Sequence, residues 1–159
     1  MQRHWASLGV FLILCLAVMV LGATITAPAI AGWYAGLQKP SWTPPDWIFA
    51  PVWSLLYVIM AVAAWLVWCR RQTVNVTRPL GLFALQLLLN AAWSPLFFGL
   101  QQPLAALLDI VLLCGSLVLT LVAFWRVSRW AGGILLPYLA WVIYAAGLNF
   151  AIWQMNNYS

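Results

Sequence analysis

The sequence predicts an all-α integral membrane protein: a bundle of five transmembrane helices with a long Pro- and Trp-rich loop between helices 1 and 2. Three observations carry this. Of 159 residues, 66% are apolar and only 6% charged, whereas an ordinary soluble domain is about one-quarter charged. Cutting the chain at charges and at Pro and Gly clusters leaves five apolar segments, about 5–27, 46–69, 79–100, 103–126 and 130–154, each long enough to cross a bilayer at roughly 20 residues per span. In hydrocarbon each span must satisfy its own backbone hydrogen bonds, which a helix does. Little chain is left over, so residues 1–159 read as a single membrane domain.

In the first segment, the apolar stretch Leu8 to Ala27 is long for a signal-peptide core. It reads as a retained span, despite the superficial cleavage pattern Ala27-Pro28-Ala29. The connection to the second segment runs from Pro28 to Pro45 and carries four prolines. The joint between the third and fourth segments, around Gln101 and Gln102, is so short that those two helices must be antiparallel neighbours. Cations set the orientation. Arg3, Arg70, Arg71, Arg78, Arg126 and Arg129 fall on the N-terminal side of the spans and Lys39 alone on the other. A bacterial inner (cytoplasmic) membrane with the N-terminus inside is expected.

Composition excludes several chemistries. The net charge of +5 is scattered over the spans and makes no patch for nucleic acid. Cys15, Cys69 and Cys114 form no CxxC pair and His4 is the lone histidine. Neither a metal site nor bis-histidine haem ligation is expected, nor any covalent cofactor. The only lysine, Lys39, lies in a loop, away from any retinal-type role. Asp109 is the only acid within a span and there is no Glu, so a proton relay or ion-coupled pump has almost nothing to work with. Asp109 itself is expected to have a structural role, bonding a neighbouring Trp or Tyr or weakly favouring the start of its helix.

The polar residues inside the spans are unevenly distributed. Thr24, Thr26, Ser54, Tyr57, Asn90, Ser94, Asp109, Tyr144 and Asn149 all fall in the half beneath loop 1. A cavity opening toward that loop produces such an asymmetry, because polar groups in hydrocarbon must face a partner, water or a ligand. Trp5, Trp68, Trp125, Trp130 and Trp153 sit near span ends, as interfacial belts require. Trp53, Trp93 and Trp141 are deeper. Trp53 and Tyr57 are spaced i, i+4, Asn90 and Trp93 i, i+3, and Tyr138, Trp141 and Ala145 share one stripe, so each set presents one face. Three aromatic faces with one amide suit a flat apolar ligand. The alternative is that these rings pack the core, with Asn90 bonding across helices.

The stretch Trp33-Tyr34, Leu37, Lys39-Pro40, Trp42 and Pro44-Pro45 reads WYxxLxKPxWxPP. With Asn90-Ala91-Ala92-Trp93-Ser94-Pro95-Leu96-Phe97-Phe98-Gly99 it resembles the translocator protein family, TspO/MBR, also called tryptophan-rich sensory protein or peripheral-type benzodiazepine receptor. Pro51, Trp53, Tyr57, Asp109, Pro137-Tyr138, Trp141 and Gly147-Leu148-Asn149 extend the likeness over essentially the whole chain. The resemblance implies a five-helix bundle, often a homodimer, whose cavity under loop 1 binds tetrapyrroles such as protoporphyrin IX or a haem-type ring. It also implies a ligand set of Tyr34, Trp53, Asn90, Trp93, Trp141 and Ala145, with Trp33 at the mouth; the helical stripes add Tyr57 and Tyr138. No basic residue follows Tyr138 or Tyr144, a departure that puts cholesterol-type sterol binding in question.

The expected function is thus that of a tetrapyrrole-binding translocator or sensory protein in membrane lipid. The alternatives are a light-dependent porphyrin-degrading enzyme, with Trp53 and Trp141 as oxidisable partners, and a facilitator of porphyrin or lipid movement. No conventional catalytic constellation is present in the sequence. Small residues at Gly147 and Ala151, or at Ala23 and Ala27, offer the spacing for a homodimer seam.

Overall fold

A computed structural model of the chain describes residues 2–157, with side chains from Trp5 onward. Met1, Tyr158, Ser159 and the side chains of Arg3 and His4 lie outside the described residues, so the part of Arg3 in the charge count rests on sequence alone. Helix α1 (Gln2–Ala29) runs on through a wide π-type turn (Ile30–Tyr34). Then follow α2 (Asp46–Trp68) and α3 (Thr77–Ser94), the latter with a second wide turn (Pro95–Gly99), and then α4 (Pro103–Val127), α5 (Arg129–Gly133) and α6 (Leu136–Asn156). Together they make five stretches long and apolar enough to cross a membrane.

Two boundaries differ from expectation. The first span does not stop near residue 27 but continues past Pro28 to Tyr34, which shortens the loop and puts Trp33 and Tyr34 on a helix end. A proline in a helix removes one backbone hydrogen bond and crowds the preceding turn. In hydrocarbon, unwinding would leave many more groups unpaired, so the helix persists. The fifth segment is broken rather than continuous. Pro137 has no N–H to offer Gly133, and the chain tightens instead, Leu135 N donating to Gly132 O at 3.1 Å. Gly132 is required here, since a Cβ at that position would come within 2.8 Å of Trp125 Cα.

The joint between α3 and α4 is as short as expected, and these two helices pack together more extensively than any other pair. Reversing the chain there puts Gln101 at φ 55, a left-handed conformation that costs a non-glycine residue about 1–2 kcal/mol. Contacts place the spans in a ring, α1–α2–α6–α4–α3 and back to α1. Arg70 and Arg71 lie in the turn just after α2, Arg78 is in the first turn of α3, Arg126 in the last turn of α4 and Arg129 begins α5, all at one end of the bundle. Lys39 and Asp46 stand at the other. We call these the arginine end and the loop-1 end.

Candidate ligand cavity

The main core fills the arginine-end half. Ala61, Ala63 and Ala64 of α2 are fully buried, letting neighbouring helices approach closely, and Phe83 stacks on Phe124 at 6.0 Å. A second, smaller cluster around Tyr34, Phe97, Ala106, Leu148 and Ile152 closes the loop-1 end. Between the two clusters lies a cavity of about 380 Å³, within the range of roughly 300–1,000 Å³ common for small-molecule sites.

Its walls follow from helical spacing. Phe49, Trp53 and Tyr57 recur every fourth residue along α2 and all line the space. Opposite them stand Asn90, Trp93 and Phe97 of α3, and Trp141 and Ala145 of α6. The rings brace one another: Trp93 stacks on Phe97 at 5.0 Å, Phe49 meets Trp141 edge-on at 6.0 Å, and Trp53 touches both Tyr57 and Tyr138. Such bulky side chains hold the helices apart where the alanines of the other half draw them together.

A directed chain of hydrogen bonds forms the floor. Tyr57 Oη donates to Asn90 Oδ1, and Asn90 Nδ2 to Tyr138 Oη at 2.7 Å. Tyr138 Oη donates to Gln86 Oε1 at 2.9 Å and Gln86 Nε2 to Met60 Sδ at 3.8 Å. The chain ties α2, α3 and α6 across the bundle with every hydroxyl committed. At the wall, Trp93 Nε1 donates to Asn149 Oδ1 at 3.0 Å, and Asn149 Nδ2 to Pro103 O at 2.8 Å. Trp141 lines the cavity with its ring, while its Nε1 is buried and has no hydrogen-bond partner.

Tyr34 and Asp46, which flank loop 1, both line the cavity at its loop-1 end, and loop 1 between them, which we call the roof, is latched to α6. Gln38 and Asn156 exchange two hydrogen bonds, Gln38 N to Asn156 Oδ1 at 3.0 Å and Asn156 Nδ2 to Gln38 O at 2.9 Å. Tyr144 Oη donates to Trp42 O at 2.7 Å, with the two rings 5.5 Å apart. Lys39 Nζ donates to Tyr34 O at 2.6 Å and lies over the Tyr34 ring, capping the end of the first span.

Of the residues singled out from sequence, Tyr34, Trp53, Tyr57, Asn90, Trp93, Trp141 and Ala145 come together around this one space. Tyr138 and Trp33 do not line it. Tyr138 is fully buried in the floor, and Trp33 packs edge-on against Phe97 at 5.5 Å, within the smaller cluster. Asn90 lines the cavity while bonding across helices, so both readings of that residue describe it in part. Asp109 makes no bond to a Trp or Tyr: it is buried, with Oδ2 unpartnered. Phe49 and Phe97 were missed, although extending the i, i+4 rule one turn from Trp53 and from Trp93 finds each of them. Asn149 was read as a polar residue of the half beneath loop 1 and as part of the family likeness, but not as a site residue. Among the described residues no cluster of His, Cys, Asp or Glu has a metal-binding arrangement.

The sequence is similar to several known proteins over nearly its full length. It is 48% identical to a tryptophan-rich protein TspO of Chlorobaculum tepidum, over 98% of this chain and 99% of that one. It is 46% identical to the human translocator protein over 79% and 75% of the two chains, and 35% identical to a tryptophan-rich sensory protein of Cereibacter sphaeroides over 98% and 95%. Residues 11–154 match the model of one family, and with these likenesses they establish that the chain belongs to the TspO/MBR family.

Proposed function

We propose that the protein is a membrane receptor or translocator for a tetrapyrrole, protoporphyrin IX or a haem-type ring, taken up in the cavity beneath loop 1. The family and the translocator and sensory names of its relatives support a membrane translocator or sensory role. The observation that carries the finer reading is the convergence of Phe49, Trp53, Trp93 and Trp141 on one space. Aromatic faces stack on a planar ring. In this reading Asn90 and Tyr57 hold the floor, and Asn90 keeps one amide hydrogen for a ligand. The arginine end faces the cytoplasm of a bacterial inner membrane, following the cation count. The protein works as a homodimer, which light scattering in lipid and detergent tests: a monomer at every concentration defeats that part.

Spectra of the purified protein mixed with protoporphyrin IX, in dark and in light, test the function. A shifted, stable Soret band is expected in the dark. Light-dependent bleaching to a new product, lost on Trp53→Phe or Trp141→Phe, would instead favour porphyrin degradation. An unchanged spectrum in both conditions would contradict tetrapyrrole binding altogether.

A further inference from the structure

The roof and the walls of the cavity are not equally closed. Loop 1 is latched by the Gln38–Asn156 pair and by Tyr144 on Trp42. The floor is sealed by the Tyr57–Asn90–Tyr138 chain. The side between α1 and α2 has neither kind of fastening. Below it these helices meet firmly, with Trp5 stacked on Trp65 at 5.7 Å and Phe11 against Trp68. From Gly22 to Gly32, α1 contributes no residue to either core cluster.

In that stretch α1 leans on α3. A Cβ at Gly22 would lie 3.3 Å from Ser94 Oγ, and one at Gly99 would lie 3.5 Å from Ile25 Cγ2. At about 100° per residue, Ala23 and Ala27 fall on the opposite edge of α1 from Gly22 and Ile25, the edge toward α2. The same rotation on α2 puts Phe49 and Trp53 on the side of α6, where they meet Trp141 and Tyr138, and Ala50 and Ser54 on the side of α1. Ala23, Ala27, Ala50 and Ser54 all line the cavity, yet all four are exposed. Four small side chains on facing edges that belong to both the cavity and the outer surface describe a slot, and in a spanning bundle that surface at this depth is hydrocarbon.

The geometry points to sideways entry: the ligand passes between cavity and membrane through the slot between Ala23 and Ala27 of α1 and Ala50 and Ser54 of α2, coming from the leaflet on the loop-1 side rather than from water past loop 1. This rests on the reading of the cavity as the ligand site. It assigns a ligand class as well, a molecule that partitions into lipid before it binds, and it makes the roof latch a structural clasp.

The test uses the full chain in phosphatidylcholine vesicles preloaded with protoporphyrin IX, with binding followed by stopped-flow quenching of protein fluorescence and affinity by titration. Ala27→Leu with Ala50→Leu fills the slot without touching the aromatic walls. Association and dissociation should both slow by about tenfold, as access-limited steps do, with the equilibrium constant held within about threefold. Tyr144→Phe with Asn156→Ala, which loosens the roof, should leave the association rate unchanged. Ser54→Leu is the second plug should the double variant fail to fold. Wild-type rates in a folded plug variant, or faster association in the roof variant, would overturn sideways entry while leaving the ligand reading intact; a wild-type chain that binds no porphyrin would overturn both.

Discussion

The two halves of the bundle are built from the same five spans by opposite means. Toward the arginine end, small residues and close contacts fill the interior: Ala61, Ala63, Ala64 and Cys15 are fully buried, and Gly132 sits directly on Trp125. Toward the loop-1 end, Phe49, Trp53, Trp93 and Trp141 stand around open space. Lipid surrounds both halves, so hydrophobic burial does not distinguish them; what does is whether side chains permit close packing or prevent it. The Tyr57–Asn90–Tyr138–Gln86 chain marks the border between a closely packed half and a half that stays open.

The sharpest way to break this comparison is to injure the packed half alone. Gly132→Ala drives a methyl group into Trp125 backbone and is expected to cost about 3 kcal/mol of stability, at the upper end for overpacking. Denaturant titration in detergent should show that loss, while the folded fraction keeps its porphyrin affinity. Injury at the border should affect both halves. Asn90→Ala strands the Tyr57 hydroxyl and removes the bond that Tyr138 accepts, leaving Tyr138 its bond to Gln86, with an expected loss of about 2 kcal/mol and weaker porphyrin binding in the same preparation. At the roof, Asn156→Ala removes two bonds to Gln38 and should cost only about 0.5–1 kcal/mol. Its readout is faster protease cleavage between Gly36 and Trp42, with affinity little changed.

How much of this was legible beforehand follows the same division. Five spans and the antiparallel α3–α4 pair could be read because hydropathy and loop length act locally. The polar half could be read because a bilayer leaves polar side chains few places to go, and helical periodicity then put Trp53, Tyr57, Trp93 and Trp141 on inward faces. The course of the chain past Pro28 was not legible: a proline is a local breaker, and the need to pair backbone groups in hydrocarbon overrides it. Nor was the burial of Tyr138, which shares a stripe with Trp141 but lies one turn nearer the floor, within reach of Gln86 and Asn90. That distinction depends on where α2 and α3 stand relative to α6, which no single-helix pattern records. Nor was it legible that Trp42 of loop 1 packs on Tyr144 while Trp47, at the start of α2, stays 73% exposed.

The central claim, that the open half is the ligand site, is tested most directly by comparing tryptophans of the two kinds in one titration. Trp53→Phe and Trp141→Phe each keep an aromatic wall but remove an indole, and porphyrin affinity is expected to fall by about 1 kcal/mol, roughly fivefold, as for single aromatic contacts. Trp5 and Trp130 are 63% and 80% exposed near the arginine end, and Trp5→Phe and Trp130→Phe should leave affinity unchanged. If all four variants fold and the Trp5 and Trp130 changes weaken binding as much as those at Trp53 and Trp141, the ligand does not bind in the cavity beneath loop 1.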